Sequence, residues 1–154
     1  MAKLILVCGL PGSGKTTHAT RLETEVGAIR FCPDEWMLAL GLNLYDEQRR
    51  ARIEAVQWEL AQRLLACGSS VVIEWGTWGR SERDALRLRA RELNAAVELH
   101  YLCPPFEILF ERIRRRGAED PPIEREMLEA WVKTFEVPTA EEMSLFDAAV
   151  TIES

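Results

Sequence analysis

Short runs of apolar residues alternate along the chain with longer stretches in which apolar residues recur every three or four positions. The runs are typical of buried strands, and the wider spacing is typical of amphipathic helices. The clearest helical spacing places Ile53, Gln57, Leu60 and Leu64 on one face of a helix. The predicted strands are 3–8, 28–32, 71–73, 97–102 and 148–152, and the predicted helices are 15–25, 34–40, 46–66, 81–94, 106–116, 123–135 and 139–145.

Strands that alternate with helices indicate right-handed βαβ units. The sequence therefore predicts an α/β fold, a five-stranded parallel sheet with helices on both faces, in a single domain over residues 1–154. Ligands of such sheets bind beyond the carboxyl ends of the strands. Gly9–Thr16, Asp34 and Glu74 follow the first three strands, so they are expected to meet at one crevice.

The charge of the chain is unevenly distributed. Residues 1–125 hold 18 basic and 18 acidic side chains, whereas residues 126–154 hold one basic and seven acidic ones, and the net charge is −6. This balance argues against nucleic-acid binding by bulk charge. The four cysteines form no CxxC pair, and no apolar run has membrane-spanning length, which favours a cytoplasmic protein that does not bind membranes.

A glycine-rich loop follows the first predicted strand. Its sequence, GLPGSGKT at 9–16, fits the pattern G-x-x-x-x-G-K-[ST]. Glycines let consecutive backbone N–H groups surround a phosphate, Lys15 reaches the β- and γ-phosphates, and the Thr16 hydroxyl is a ligand for Mg²⁺. A plain glycine-rich turn is the alternative, but the position between a strand and a helix favours nucleotide binding. The predicted nucleotide-binding residues are Gly9, Leu10, Pro11, Gly12, Ser13, Gly14, Lys15, Thr16 and Thr17.

Carboxylates and indoles are expected on the acceptor side of this crevice. Asp34 is either a general base for an attacking hydroxyl or the N-cap of the next helix, and its position alone leaves both open. Glu74 either holds a water on Mg²⁺ or an acceptor hydroxyl, or is only a polar strand terminus. Trp75 and Trp78 either stack on a substrate ring or pack in the core.

Arginines crowd before Gly117. Arg112 and Arg116 share one helix face, which suits either a closing lid over phosphate or a solvated helix C-terminus. A second row of arginines, in which acidic residues interleave, is better interpreted as a solvated face, although Arg80 and Arg83 remain within reach of an acceptor phosphate. That row comprises Arg80, Arg83, Arg87, Arg89 and Arg91. Ser81 is the expected N-cap of their helix, and His18 and His100 are expected to be structural.

Four segments resemble the P-loop kinases grouped around polynucleotide 5′-kinase, zeta toxin and chloramphenicol phosphotransferase, the AAA_33 kinases. They are GLPGSGKTT at 9–17, FCPDEW at 31–36, VVIEWGTWGRSERDALRLRARELNAAVELHYL at 71–102 and ERIRRRGAEDPPI at 111–123. The resemblance implies a P-loop NTPase fold and makes Asp34 the general base. It also implies an acidic residue near the acceptor at Glu74, and a short Arg-rich lid over about 112–125 whose Arg112 and Arg116 contact ATP. Polynucleotide kinases place a phosphate-binding Arg at the position of Met37, so this departure disfavours a nucleic-acid substrate.

The sequence thus predicts an ATP-dependent kinase that uses Mg²⁺ and transfers the γ-phosphate to a hydroxyl of a small molecule, which is a nucleoside, a sugar-like metabolite or an antibiotic. A 5′-hydroxyl polynucleotide kinase and a nucleotide-binding ATPase without an acceptor are the alternatives. The expected catalytic residues are Lys15, Asp34, Arg112 and Arg116, and the expected substrate-binding residues are Asp34, Met37, Glu74, Trp75, Trp78 and Arg80.

Overall fold

Five strands form the central sheet of the structure, a computed structural model that describes residues 1–154. The strands are β1 (Lys3–Cys8), β2 (Ile29–Phe31), β3 (Val71–Gly76), β4 (Ala96–Leu102) and β5 (Ala148–Ile152). They lie in the order β2-β3-β1-β4-β5, and every neighbouring pair is parallel. The predicted five-stranded parallel sheet is therefore confirmed.

Helices cover both faces of this sheet. They are α1 (Lys15–Leu22), α2 (Pro33–Ala39), α3 (Glu47–Ala66), α4 (Arg80–Glu92), α5 (Phe106–Arg116), α6 (Arg125–Thr134) and α7 (Ala140–Met143), and α1 continues into one π-helical turn, Glu23–Gly27. No helix combines the length and the apolar character that crossing a membrane requires.

Alternation along β1 explains the two layers, because successive side chains of a strand point to opposite faces. Leu4 and Leu6 pack with residues of α3 and α4, whereas Ile5 and Val7 pack with residues of α1. All four side chains are at most 1% exposed. The continuous apolar run of β1 is thus the signature of a strand that is buried on both faces.

Two local expectations differ from the structure. Strand β3 extends to Gly76, because Gly76 pairs with Cys8 after a shift of register that adds one residue on β3, and its carbonyl accepts from the Gly9 amide at 3.1 Å. Glu74 and Trp75 consequently lie within the last residues of β3 and not after it. Helix α4 begins after Gly79 rather than Ser81, so Ser81 is not its N-cap.

The interpretation of Arg83 as part of a solvated face is wrong. Its guanidinium is fully buried and donates to both carboxylate oxygens of Glu142, from Nε at 2.6 Å and from Nη2 at 3.0 Å. Burial of such a large cation requires a partner, and the partner comes from α7 in the acidic C-terminal part of the chain. Arg83 therefore does not line the cleft at the carboxyl ends of the strands.

The two histidines lie away from the carboxyl edge of β1–β3. His18 Nε2 and His100 Nδ1 are 2.8 Å apart, on the face of the sheet that α1 covers. Arg21 contacts the other nitrogen of His18, and Glu98 contacts that of His100. This chain of contacts ties α1 to β4, which agrees with a structural role.

Candidate active site

A cleft of about 660 Å³ lies at the carboxyl ends of β1, β2 and β3. The loop after β1, the first turn of α2 and the end of β3 contribute Lys15, Asp34 and Glu74 to its wall. This is the edge where a parallel α/β sheet places its ligands. The structure thus brings together the three features that the sequence predicted to meet.

The loop between β1 and α1 has the backbone of an anion cradle. Gly12 and Gly14 have φ of +81° and +95°, which side chains other than glycine rarely adopt. Gly14 is the N-cap of α1 and supplies no side-chain hydrogen bond, so the amides of the first helical turn are open to an anion.

Lys15 points into this cradle. Its Nζ donates to the carbonyls of Gly9 and Leu10 at 3.0 and 2.9 Å. Burial lowers the pKa of the Lys15 amine, and the carboxylates of Asp34 and Glu74 oppose this shift. A phosphate in the cradle would favour the charged amine and replace the loop carbonyls as its partner.

Helix α5 packs directly on the cradle. A side chain at Gly12 would place its Cβ 2.5 Å from the carbonyl oxygen of Leu109, and Arg112 Nη1 donates to the Gly12 carbonyl at 3.3 Å. Arg112 and Arg116 both line the cleft, and Arg116 is paired with Glu119. The neighbouring Arg115 pairs with Glu111 at the surface instead.

Thr16 and Glu74 form an oxygen-rich corner beside the cradle. Thr16 Oγ1 donates to Glu74 Oε1 at 2.6 Å, and Arg30 Nη1 donates to Glu74 Oε2 at 3.1 Å. The Glu74 side chain is only 2% exposed. A hydroxyl and a buried carboxylate are the hard oxygen donors that Mg²⁺ prefers, directly or through water, so these two residues fit the ion.

Asp34 lies in the first turn of α2 and lines the cleft. The N-cap of α2 is Cys32 and Pro33 is its first residue, so the capping role considered for Asp34 is not the one it has. Arg50 of α3 donates from Nη2 to Asp34 Oδ1 at 2.5 Å and to the Leu44 carbonyl at 3.3 Å. Arg50 thus fixes the position of the carboxylate at the wall of the cleft.

Both tryptophans after Glu74 pack against the core and line the cleft. Trp75 donates from Nε1 to Gln57 Oε1 at 2.8 Å. Trp78 lies 5.9 Å from the ring of Trp131, which lines the cleft too. The two alternatives weighed for these indoles, packing and contact with a ligand, are therefore compatible.

Several residues that the sequence predicted to bind nucleotide or substrate do not line the cleft. Met37 is fully buried, because it is on the inner face of α2, so it cannot contact a substrate. Arg80 pairs with Asp84 and Glu141 instead of facing the cleft. In the loop, Gly9, Leu10 and Ser13 do not line the cleft, and the Ser13 side chain is 1% exposed. The other loop residues, Pro11, Gly12, Gly14, Thr16 and Thr17, do line it.

Sequence reasoning missed several residues that line the cleft near Asp34, the part called its acceptor end below. Glu47, Arg50 and Glu54 line it from α3, Glu82 lines it from α4, and Tyr45 closes it from the preceding loop. The spacing of the three α3 residues, i, i+3 and i+7, places them on one helix face and was a usable signal. Tyr45 donates from its hydroxyl to the Pro121 carbonyl at 2.6 Å, which joins the loop before α3 to the loop after α5.

Comparison with known proteins gives a family and a fold. The sequence matches the AAA domain family AAA_33 over residues 4–138. No curated protein matches the sequence significantly. A gluconokinase from Sinorhizobium meliloti 1021 is similar, with 23% identity, a TM-score of 0.66 and coverage of 99% of this chain and 83% of that chain.

Two further solved structures have the same fold. Kti12 from Chaetomium thermophilum, in complex with ADP-AlF3, has 21% identity and a TM-score of 0.72, with coverage of 97% and 88%. A chain of the Pnkp1/Rnl/Hen1 RNA repair complex has 23% identity and a TM-score of 0.73, and the match covers 95% of this chain but 46% of that one. At these identities the likeness shows a common fold.

Proposed function

The chain belongs to the AAA_33 family of P-loop AAA domains, and from this premise we propose that it is an ATP-dependent kinase acting on a hydroxyl of a small molecule. Nucleosides, sugar-like metabolites and antibiotics are the acceptor classes in question. The observation that carries the proposal is a carboxylate, Asp34, in the same cleft as the phosphate cradle and Arg112. A protein that only binds ATP has no need for a base at that place, and one that hydrolyses ATP would use it on water, which the test below distinguishes.

The proposed reaction uses residues that already line the cleft. The amides of the loop, with Lys15, bind the phosphates of ATP, and Asp34 accepts the proton of the acceptor hydroxyl. The acceptor oxygen forms a bond to the γ-phosphorus while the bond to the β–γ bridging oxygen breaks, so ADP leaves. Arg112 and Arg116 stabilise the charge on the transferring group, and the lid proposed over 112–125 excludes water.

Thr16 and Glu74 would hold Mg²⁺ in this reaction. When bound, the ion would neutralise negative charge on the phosphates of ATP. Arg30 keeps the Glu74 carboxylate oriented toward Thr16 through its own contact with the other carboxylate oxygen.

The nature of the solved relatives supports the same reaction class. A gluconokinase shares the fold over nearly the whole of this chain. A polynucleotide acceptor is less well supported, although an RNA repair complex has the fold too. Met37 is buried, and the acceptor end of the cleft carries the carboxylates of Glu47, Glu54 and Glu82, which repel a phosphate backbone.

The test is transfer of label from γ-labelled ATP to a pool of nucleosides, sugars, aminoglycosides and 5′-hydroxyl oligonucleotides. Asp34→Asn should reduce transfer by about 10²–10⁴-fold and leave ADP binding intact. Lys15→Ala should abolish turnover. Glu59→Gln, which changes an exposed carboxylate of α3 outside the cleft, is the control and should behave like the wild type. Phosphate release without any acceptor, undiminished in Asp34→Asn, would contradict the proposal.

A further inference from the structure

The acceptor end of the cleft is acidic in a way that the proposed reaction does not use. Glu54 of α3 and Glu82 of α4 line it beside Asp34. The ion pairs of the cleft join Arg50 to Asp34, Arg116 to Glu119 and Arg30 to Glu74, and none of them includes Glu54 or Glu82. Two half-buried carboxylates without an ion-pair partner therefore line the space that an acceptor would occupy.

The basic residues of the cleft are all directed elsewhere. Arg50 holds Asp34 and the Leu44 carbonyl, and Arg112 contacts the loop at Gly12. Lys15 is turned into the carbonyls of the phosphate cradle. An anionic acceptor would consequently find two free carboxylates and no free cation next to it, which disfavours sugar acids and phosphorylated sugars.

The surroundings of both carboxylates also disfavour their charged forms. Burial raises the pKa of Glu54 to about 7, and repulsion by Glu82 adds to the shift. Burial raises the pKa of Glu82 as well. Positive charge between them would favour both ionised forms and relieve this repulsion.

The rest of the wall suits a polar cation. The ring faces of tryptophans attract ammonium groups, and Trp75, Trp78 and Trp131 line this cleft. Independently of the carboxylates, Thr77 lines the cleft with a side chain that is 1% exposed, and its hydroxyl makes no regular hydrogen bond and has only the weakly polar thiol of Cys8 beside it. A buried hydroxyl without a regular partner marks a place where a ligand group would complete the hydrogen bonding.

We infer that the acceptor is an amine-bearing alcohol, such as an amino sugar or an aminoglycoside, whose ammonium group binds between Glu54 and Glu82. The inference rests on the proposed function, since it describes the acceptor of that transfer. The hydroxyl oxygen remains the nucleophile and its proton goes to Asp34. The amine keeps its protons and takes no part in bond making.

The experiment compares amines with their uncharged derivatives. Binding to the full chain with ADP and Mg²⁺ present is measured by calorimetry for glucosamine, kanamycin and 2-deoxystreptamine, each beside its N-acetylated form, with gluconate as the anionic probe. At least one amine should bind about tenfold or more tightly than its N-acetylated form, as expected for a hydrogen-bonded charge. Glu54→Gln and Glu82→Gln should each remove most of that difference and leave the N-acetylated form unaffected.

Controls separate this inference from the kinase proposal. Glu59→Gln, on the exposed part of α3 outside the cleft, should keep the preference for amines. Removing an unpaired carboxylate should not lower stability, so thermal melting verifies that both test variants are folded. Equal or weaker binding of every amine, or tighter binding of gluconate, would overturn the inference. Asp34-dependent transfer to a neutral acceptor would then leave the kinase proposal standing, whereas amine binding without transfer would support the amine site and reject the kinase.

Discussion

The buried pair of Arg83 and Glu142 should dominate the stability of the C-terminal part of the chain. Both side chains are at most 1% exposed, and the contact is bidentate at 2.6 and 3.0 Å. Glu142→Gln keeps the shape but leaves the guanidinium without a counter-charge. Breaking such a pair costs about 3–5 kcal/mol, which is a large part of the ~5–15 kcal/mol typical of a native domain.

Urea unfolding followed by tryptophan fluorescence measures this change. The midpoint should fall strongly at an unchanged slope, because the surface exposed on unfolding stays nearly the same. Glu141→Gln is the matched control, since the adjacent Glu141 forms an exposed pair with Arg80 and its loss should not measurably shift the midpoint. The double variant Arg83→Met with Glu142→Leu should recover part of the stability, because no charge then remains buried while the Thr77 and Glu136 carbonyls lose a donor.

The same pair should also affect the cleft. Arg83 donates from Nη1 to the Thr77 carbonyl at 2.7 Å and from Nη2 to the Glu136 carbonyl at 2.8 Å. Glu136 in turn donates its amide to the Trp78 carbonyl at 2.9 Å.

A urea unfolding midpoint of Glu142→Gln equal to that of the wild type would refute the reasoning from buried charge.

Three further outcomes are expected. Gly12→Ala should abolish binding of a fluorescent ADP, because the added Cβ would lie 2.5 Å from a carbonyl oxygen of α5. Gly41 has a similar positive φ of +71° and open space around it, so Gly41→Ala should lower the melting temperature only modestly. The pKa of Glu54 in the folded protein is raised to about 7, so between about pH 5 and 7 the folded state binds a proton that the unfolded chain has lost. The free energy of unfolding therefore falls as the pH rises from about 5 to 8. The melting-temperature advantage of Glu54→Gln over the wild type should therefore grow across that range, and a constant difference would contradict the assignment. Tyr45→Phe removes the hydrogen bond to the Pro121 carbonyl and should raise KM for the acceptor several-fold with kcat nearly unchanged, as steady-state kinetics would show.

The fold and the phosphate end could be predicted because their signals are local. The buried strand β1 is a continuous apolar run, and the cradle is eight consecutive residues, Gly9–Thr16, between a strand and a helix. The glycines of the cradle act through backbone geometry that their own type permits, as the positive φ at Gly12 and Gly14 shows. Sequence spacing is sufficient when the interacting groups are neighbours in the chain.

The acceptor end could not be predicted in the same way, because its members are distant in sequence. Asp34 and Arg50 are 16 residues apart, and Arg83 and Glu142 are 59 apart. A charged residue in a row of mixed charges looks solvated until the fold supplies its partner, as it does for Arg83. The buried Met37 shows the converse, since a position taken from a family pattern gives no information on which side of the helix faces the ligand.

The charged residues that add up to the net charge of −6 are thus unevenly placed in the structure. One acidic residue of the C-terminal part neutralises a buried arginine, and two from the middle of the chain lie unpaired at the acceptor end of the cleft. The opposite end carries Lys15 and Arg112. If the acceptor is an amine, these opposite charges specify which substrate binds where, because Glu54 and Glu82 repel a triphosphate and the cradle repels an ammonium group. Removing both charges at the acceptor end should therefore weaken binding of the amine and also the discrimination between the two substrates. ATP at high concentration should then inhibit a Glu54→Gln/Glu82→Gln double variant more than the wild type.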